Sequence, residues 1–199
     1  MRMNLGLFAG TMIAILASAA PRPVLAASQD EKVQPAALEL IKQMSDTLAA
    51  AKKLSFDVRG AFDVPAADGH PLFYYTKSEA TLERPDKLKV ISSGDGPPEE
   101  FTYDGGEIAV YMPETNMVAR KDAPSDVDAM LRDAYSTAGL YFPFVDLIVS
   151  DPHASLAGHA LSAFVIGKSE LIGGVTTDIV AIADGRMQWQ IWILSRLHI

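Results

Sequence analysis

The residue types that carry most protein chemistry are sparse and irregularly spaced in this chain of 199 residues. There are four histidines, His70, His153, His159 and His198. The closest two, His153 and His159, stand six apart, which is neither a helical i,i+4 pair nor the spacing of a zinc-enzyme motif. Cysteine is absent, so thiolate ligands, cysteine nucleophiles and disulfides are excluded. No Gly-x-Ser-x-Gly elbow exists to expose a serine nucleophile. The pairs Ser169-Glu170 and Thr177-Asp178 are ordinary composition for a strand surface. Gly105-Gly106 and Gly173-Gly174 fall between strand patterns. A phosphate cradle needs a helix N-terminus behind it, so these glycines read as turns. Asp86, Asp104 and Asp184 likewise read as turn carboxylates. The expectation is therefore no catalytic residue, no metal and no cofactor, and a protein that is not an enzyme. What the chain does offer is apolar surface.

The elements that would display this surface are mostly strands. A helix is predicted from about Pro35, a residue suited to a first helical turn. Its apolar positions Ala37, Leu40, Ile41, Met44, Leu48 and Ala51 recur at helical spacing, with Glu39, Lys42, Asp46 and Lys52 largely elsewhere. Period two then takes over. Phe56, Val58, Gly60 and Phe62 alternate with Asp57, Arg59 and Ala61. After the turn residues Ala66-Ala67-Asp68-Gly69, a long strand puts Leu72, Tyr74, Thr76, Ser78, Ala80 and Leu82 on one face. Pro85 ends it and holds Arg84 extended. Leu88 and Val90 continue the inward face. Asp104-Gly105-Gly106 makes a hairpin of the strands on either side, and residues 113–116 turn into one more strand. Sequential strands of this kind pair antiparallel.

A second helical region comes next, with Ser125 or Asp126 as its cap, a stripe at Val127, Met130, Leu131, Ala134 and Ala138, and Gly139 as its end. The apolar run 141–149 is predicted as a short helix stopped by Asp151-Pro152. Strands resume at 162–167, 175–183 and 187–193. On the last, Met187, Trp189, Ile191 and Ile193 share a face. The fold class is α+β.

The N-terminus states the compartment. Arg2 precedes an apolar run over 5–20, Pro21 and Pro23 end any helix, and Val24-Leu25-Ala26 is a cleavage-type sequence. Residues 1–26 are read as a secretory signal peptide, because the run is short for a membrane span of ~20 residues. The remainder, 27–199, is read as a single domain without stable membrane insertion. Removing 1–26 takes away two arginines and no acid, leaving 15 basic against 25 acidic residues. Such an acidic domain is repelled by phosphate backbones, which excludes nucleic acid as a partner.

The Arg84-Pro85 corner leading into Asp-Lys-Leu-Lys-Val, and the later Tyr-Asp-Gly-Gly-Glu-Ile-Ala-Val-Tyr with its turn at 113–116, resemble the corresponding segments of the LolA/LolB lipoprotein carriers. The likeness is closer still to a family of uncharacterised periplasmic proteins, a domain of unknown function, which the segment Trp189-Gln190-Ile191-Trp192-Ile193 also fits. The resemblance implies a periplasmic domain folded as a curved antiparallel β half-barrel, with the N-terminal helix and the helical insertion as a lid. It also implies that Arg84 contacts the lid and helps to set open against closed. The carriers' sheet continues beyond this last segment, whereas here six residues come after it. The count of about nine strands is roughly two short, so a C-terminally truncated domain with an exposed edge is expected.

A concave apolar face under movable helices suits a lipid. The expected cavity is lined by Phe56, Val58, Leu72, Tyr74, Leu88 and Val90 from the early strands. Trp189 and Ile191 would complete it, under Met44, Leu48 and Met130 from the helices. Taken singly, each of these residues also fits an ordinary core. The function expected is non-catalytic binding or carriage of a lipid, acyl chain or lipoprotein. The alternative is an envelope sensor or protein-interaction module that uses the same concave face.

Overall fold

The computed structural model describes residues 32–185 and 188–194. The expected signal peptide and Met187 lie outside these described residues. From Lys53 to Asp122 the period-two sequence forms six strands: β1 (Lys53–Pro65), β2 (Pro71–Glu83), β3 (Lys87–Gly94), β4 (Glu99–Tyr103), β5 (Glu107–Met112) and β6 (Met117–Asp122). They pair in sequence order as an antiparallel meander.

The register explains why one face is a core. Leu54, Leu82, Leu88, Tyr103 and Ile108 fall on one row across five strands. Phe56, Ala80, Val90, Phe101 and Val110 form the next row. A one-residue slip would send both rows to the other face, where Asp57, Glu79, Lys89 and Thr102 stand, so burial specifies the register. The third row, Val58, Ser78, Ser92 and Glu99, turns polar, and the Ser78 and Ser92 hydroxyls share a hydrogen bond of 3.0 Å. Beyond Thr76, β2 outruns β3. The far ends of β1 and β2 therefore continue as a two-stranded ribbon that leaves Val64 and Leu72 substantially exposed.

The helical insertion supplies the cover. Helix α2 (Val127–Ala138) begins at Asp126, whose Oδ1 accepts the Ala129 N–H at 2.8 Å, a standard way to satisfy a first-turn donor. It ends at Gly139 with φ 66°, where the Gly139 and Leu140 N–H groups donate to Tyr135 and Ala134 carbonyls. Val127, Met130, Leu131 and Ala134 bury its apolar stripe on the six-stranded sheet. Helix α3 (Val145–Ile148) is a single turn, and Ile148 is also buried there. The short-helix expectation for 141–149 is thus met over its second half. Pro143 keeps Phe142 extended, so the helix begins only after it.

The Asp151-Pro152 dipeptide does more than stop a helix. It opens α4 (Pro152–Ala157): Pro152 occupies the first turn, and Asp151 Oδ1 accepts the Ala154 N–H at 2.9 Å.

The last strands, β7 (Ser162–Ser169), β8 (Thr177–Ala183) and β9 (Gln188–Leu194), are antiparallel neighbours, but they form a second, three-stranded sheet. The expected strand order and direction are present, in two sheets and not one. Helix α1 (Pro35–Ala50) belongs to this smaller sheet. Its Ala37 and Ile41 are fully buried with Ala163, Val180 and Ile182. Backbone bonds hold it there: Gln34 N–H donates to the Ala163 carbonyl at 2.7 Å, and Ala163 N–H to Lys32 at 2.8 Å.

Candidate functional site

The two apolar rows of the larger sheet are covered over part of their length by α2 and over the rest by the non-helical segment 140–144. Two phenylalanines of that segment face the sheet. Phe144 meets Phe56 edge-on, with ring centroids 5.2 Å apart, and Phe142 meets Phe101 in the same way at 5.0 Å. The two also stack on one another at 5.5 Å. Beside them lies a cavity of about 450 Å³. Phe101, Val110, Phe142 and Phe144 make its apolar end, whereas Thr76, Ser78, Ser92 and the carboxylate of Glu99 make its polar end. An apolar volume with a few polar groups at one side is the usual constitution of a small-molecule site. On the other side of the same segment lies a wider groove of about 690 Å³ between α2 and α3. Leu140, Tyr141 and Phe142 line both, so this stretch is the partition between them.

The corner after β2 fastens this cover. Arg84 Nη2 donates to the carbonyl of Val149, which caps the C-terminus of α3, at 3.1 Å. The Pro85 carbonyl accepts the N–H of Val127, the first residue of α2, at 3.1 Å. The corner itself, with a cis Arg84-Pro85 peptide, is tied to the sheet because Arg84 N–H donates to Lys52 at 2.8 Å. Arg84 Nε is buried without a partner among the described residues. Gly105 takes φ 91°, a conformation that strains an L side chain, so glycine suits the β4–β5 turn where it closes beside the Asp86 side chain.

Three further contacts knit the cover. Asp128 on α2 accepts hydrogen bonds from Ser150 N–H at 3.0 and 3.1 Å and from Ser150 Oγ at 2.5 Å. Ser155 Oγ donates to Asp146 at 2.6 Å, joining α4 to α3. Tyr103 donates its hydroxyl to the Pro124 carbonyl at 2.6 Å. Burial first, and then Asp126, Asp86 and Asp104, push that phenol above its ordinary range, which keeps it a donor.

The residues expected to line one cavity are divided by the structure. Phe56 and Val58 are half-buried in the larger core, facing the cover. Leu88, Val90 and Met130 are at most 1% exposed in that same core. They support the floor from within close packing and do not border the cavity. Leu72 lies on the protruding ribbon and is 49% exposed, and Tyr74 is half-buried on the same ribbon. Met44, Trp189 and Ile191 pack in the separate core of the smaller sheet. They are not with Phe56, because the stripe of α1 is buried on β7 and β8. Leu48 is half-buried on the same helix. Arg84 lies at the corner after β2 and donates to the Val149 carbonyl beside α3. The cavity is bordered instead by Phe101, Val110, Phe142 and Phe144, none of them among the residues expected to line it. The available signal is Tyr141-Phe142-Pro143-Phe144, three aromatics around a proline, which is too rich for a solvent loop and unsuited to a helix interior.

Among the described residues no cluster of His, Asp and Glu is placed to hold a metal ion, and no helix is long and apolar enough to cross a membrane. No curated protein matches the chain. Among solved structures it is similar to one described as "Crystal structure of putative outer membrane lipoprotein-sorting protein domain from Vibrio parahaemolyticus". That similarity covers 80% of this chain and 67% of the other, at 11% identity and a TM-score of 0.31. The family described as "Predicted periplasmic protein (DUF2092)" matches residues 37–198, in line with the resemblance read from the corner, the hairpin and the last tryptophan-containing strand. With nearly all of α1, the nine described strands and the helical cover inside that match, this periplasmic chain belongs to the DUF2092 family.

Proposed function

We propose that this protein binds and carries, without catalysis, the acyl chain of a lipid or lipoprotein against the apolar face of its six-stranded sheet. In this reading the sheet acts as the curved half of a barrel. Helices α2 and α3 with segment 140–149 act as its lid, and Arg84 as the lid's fastening. The observation that carries the reading is the way the sheet face is closed. Its outer apolar row is covered by Phe142 and Phe144 on a non-helical segment, next to a cavity already about 450 Å³ in volume. An acyl chain displacing those rings would exchange one apolar contact for another. Each methylene removed from water contributes about 0.8 kcal/mol, so a chain of ordinary length offsets the loss of ring contacts. The polar end, with the hydroxyls of Thr76, Ser78 and Ser92 beside the Glu99 carboxylate, would receive an uncharged polar part of the ligand.

The arginine fastening supports a lid that can be released. It makes one hydrogen bond to Val149, while Nε is buried without a partner among the described residues. Such a donor costs about 1–3 kcal/mol when left unsatisfied. The closed arrangement is therefore held less firmly than a fully paired guanidinium would hold it.

Titration of the chain lacking residues 1–26 with a fluorescent fatty acid tests the reading. Saturable binding with blue-shifted emission, reversed by an unlabelled fatty acid, is the expected result. A well-folded protein that shows no saturable binding, and that captures one envelope protein without lipid, would overturn it in favour of an interaction module.

A further inference from the structure

The groove on the outer side of segment 140–142 has a chemistry of its own. Its walls are α2 and the α3 segment, with Leu131, Tyr135, Tyr141, Val145 and Val149 as apolar or aromatic lining. At about 690 Å³ it is larger than the cavity on the sheet face. Asp128, Arg132 and Tyr135 stand in succession along α2 on its rim, one helical turn between each. The two charges on this rim are not equivalent. Asp128 is the residue best placed to neutralise Arg132, since an acid four residues N-terminal to a base is the favourable helical pairing. Its carboxylate instead accepts three hydrogen bonds from Ser150 and forms no ion pair with Arg132, though it keeps its negative charge. The neighbouring Asp133 is taken by Lys121. Arg132 is exposed and has no hydrogen bond or ion pair among the described residues. Arg132 therefore offers the apolar groove a guanidinium whose donors are not taken up by other described residues, with Asp128 as the one acid on the same rim.

We propose that this groove is a second binding site, selective for single-chain amphiphiles with an anionic head, such as a fatty-acid carboxylate. The alkyl chain lies along Leu131, Val145 and Val149, and the head is held by Arg132. Guanidinium presents a planar pair of N–H donors that matches a carboxylate two-for-two. The occupant is fixed by charge complementarity. A neutral chain gains only the apolar walls, whereas a cationic one meets Arg132 unfavourably. The site is distinct from the sheet-face cavity and does not require the lid to open.

Binding of dodecanoate, dodecanol and dodecylammonium to the chain lacking residues 1–26, followed by calorimetry, tests this. The wild type is expected to hold dodecanoate about fivefold more tightly than dodecanol, the scale of one partly exposed ion pair. Arg132→Gln should abolish the preference without changing dodecanol binding. Arg132→Lys should restore part of it, and Arg132→Glu should transfer it to dodecylammonium. These substitutions are at an exposed position, and circular dichroism checks the fold of each. An unchanged preference in Arg132→Gln, or none in the wild type, overturns the second site and leaves the sheet-face reading standing if dodecanol binds. Failure of every probe to bind overturns both.

Discussion

Phe144→Ala is expected to lower the free energy of unfolding by about 3–5 kcal/mol, the range for truncating a buried aromatic ring. Phe144 is 5% exposed and touches both Phe56 on β1 and Phe142 in its own segment. Phe144 is the N-cap residue of α3 and its carbonyl accepts the Leu147 N–H at 3.0 Å, so the backbone behind the ring is held and cannot readily collapse into the space. Urea denaturation followed by circular dichroism measures the change as a lower midpoint at unchanged slope. The same substitution should strengthen binding of an acyl probe, because the ring occupies apolar surface that the ligand would use. Loss of stability together with loss of binding would mean that Phe144 supports the site and does not compete for it.

Arg84→Ala has the next largest expected effect, and its signature is kinetic. A hydrogen bond from a charged donor is worth about 1.5–3 kcal/mol, and Arg84 makes one such bond to Val149 across the cover. Removing the side chain also removes an unpartnered buried Nε, which relieves a cost of similar kind. The net loss should therefore fall below that range, at about 1 kcal/mol. If the bond fastens the lid, that energy appears in the open population, and a bound fluorescent fatty acid should dissociate roughly fivefold faster in a stopped-flow displacement. A purely structural arginine would lower the unfolding midpoint and leave the dissociation rate unchanged.

Much of the architecture is legible in the sequence because its signals are local. The alternation from Lys53 to Asp122 and the Asp-Gly turn define a meander whose partners are sequence neighbours. Asp126 and Gly139 mark α2 at both ends by capping chemistry alone. Asp151-Pro152 is ambiguous, because one dipeptide can end the helix before it and begin the helix after it. The division into two sheets is not legible, since nothing in β6 or β7 states that they do not pair. β6 offers only a weak hint: it is exposed along its length and carries Arg120, Lys121 and Asp122, charges of the kind that protect an edge. For the same reason Met44 and Trp189 are recognisable as inward-facing, yet their pattern does not say which core they enter. The apolar face of α1 fits either sheet, and only the backbone bonds linking Lys32 and Gln34 to Ala163 decide between them. At the site, Arg84 can be matched to a carbonyl of the cover, but Val149, 65 residues away, cannot be named from sequence. The two phenylalanines that close the sheet are hidden in a run that reads as helix until Pro143 is given its weight.

The central claim is that an acyl chain lies between the sheet and segment 140–149. Photolabelling the chain lacking residues 1–26 with a diazirine fatty acid, followed by peptide mapping, tests it most directly. Labels on β4, β5 and residues 140–149, with any others restricted to α2 beside the second groove, and all suppressed by excess unlabelled fatty acid, are the predicted result. Labels on the protruding β1–β2 ribbon alone, or labels that no competitor suppresses, would contradict it.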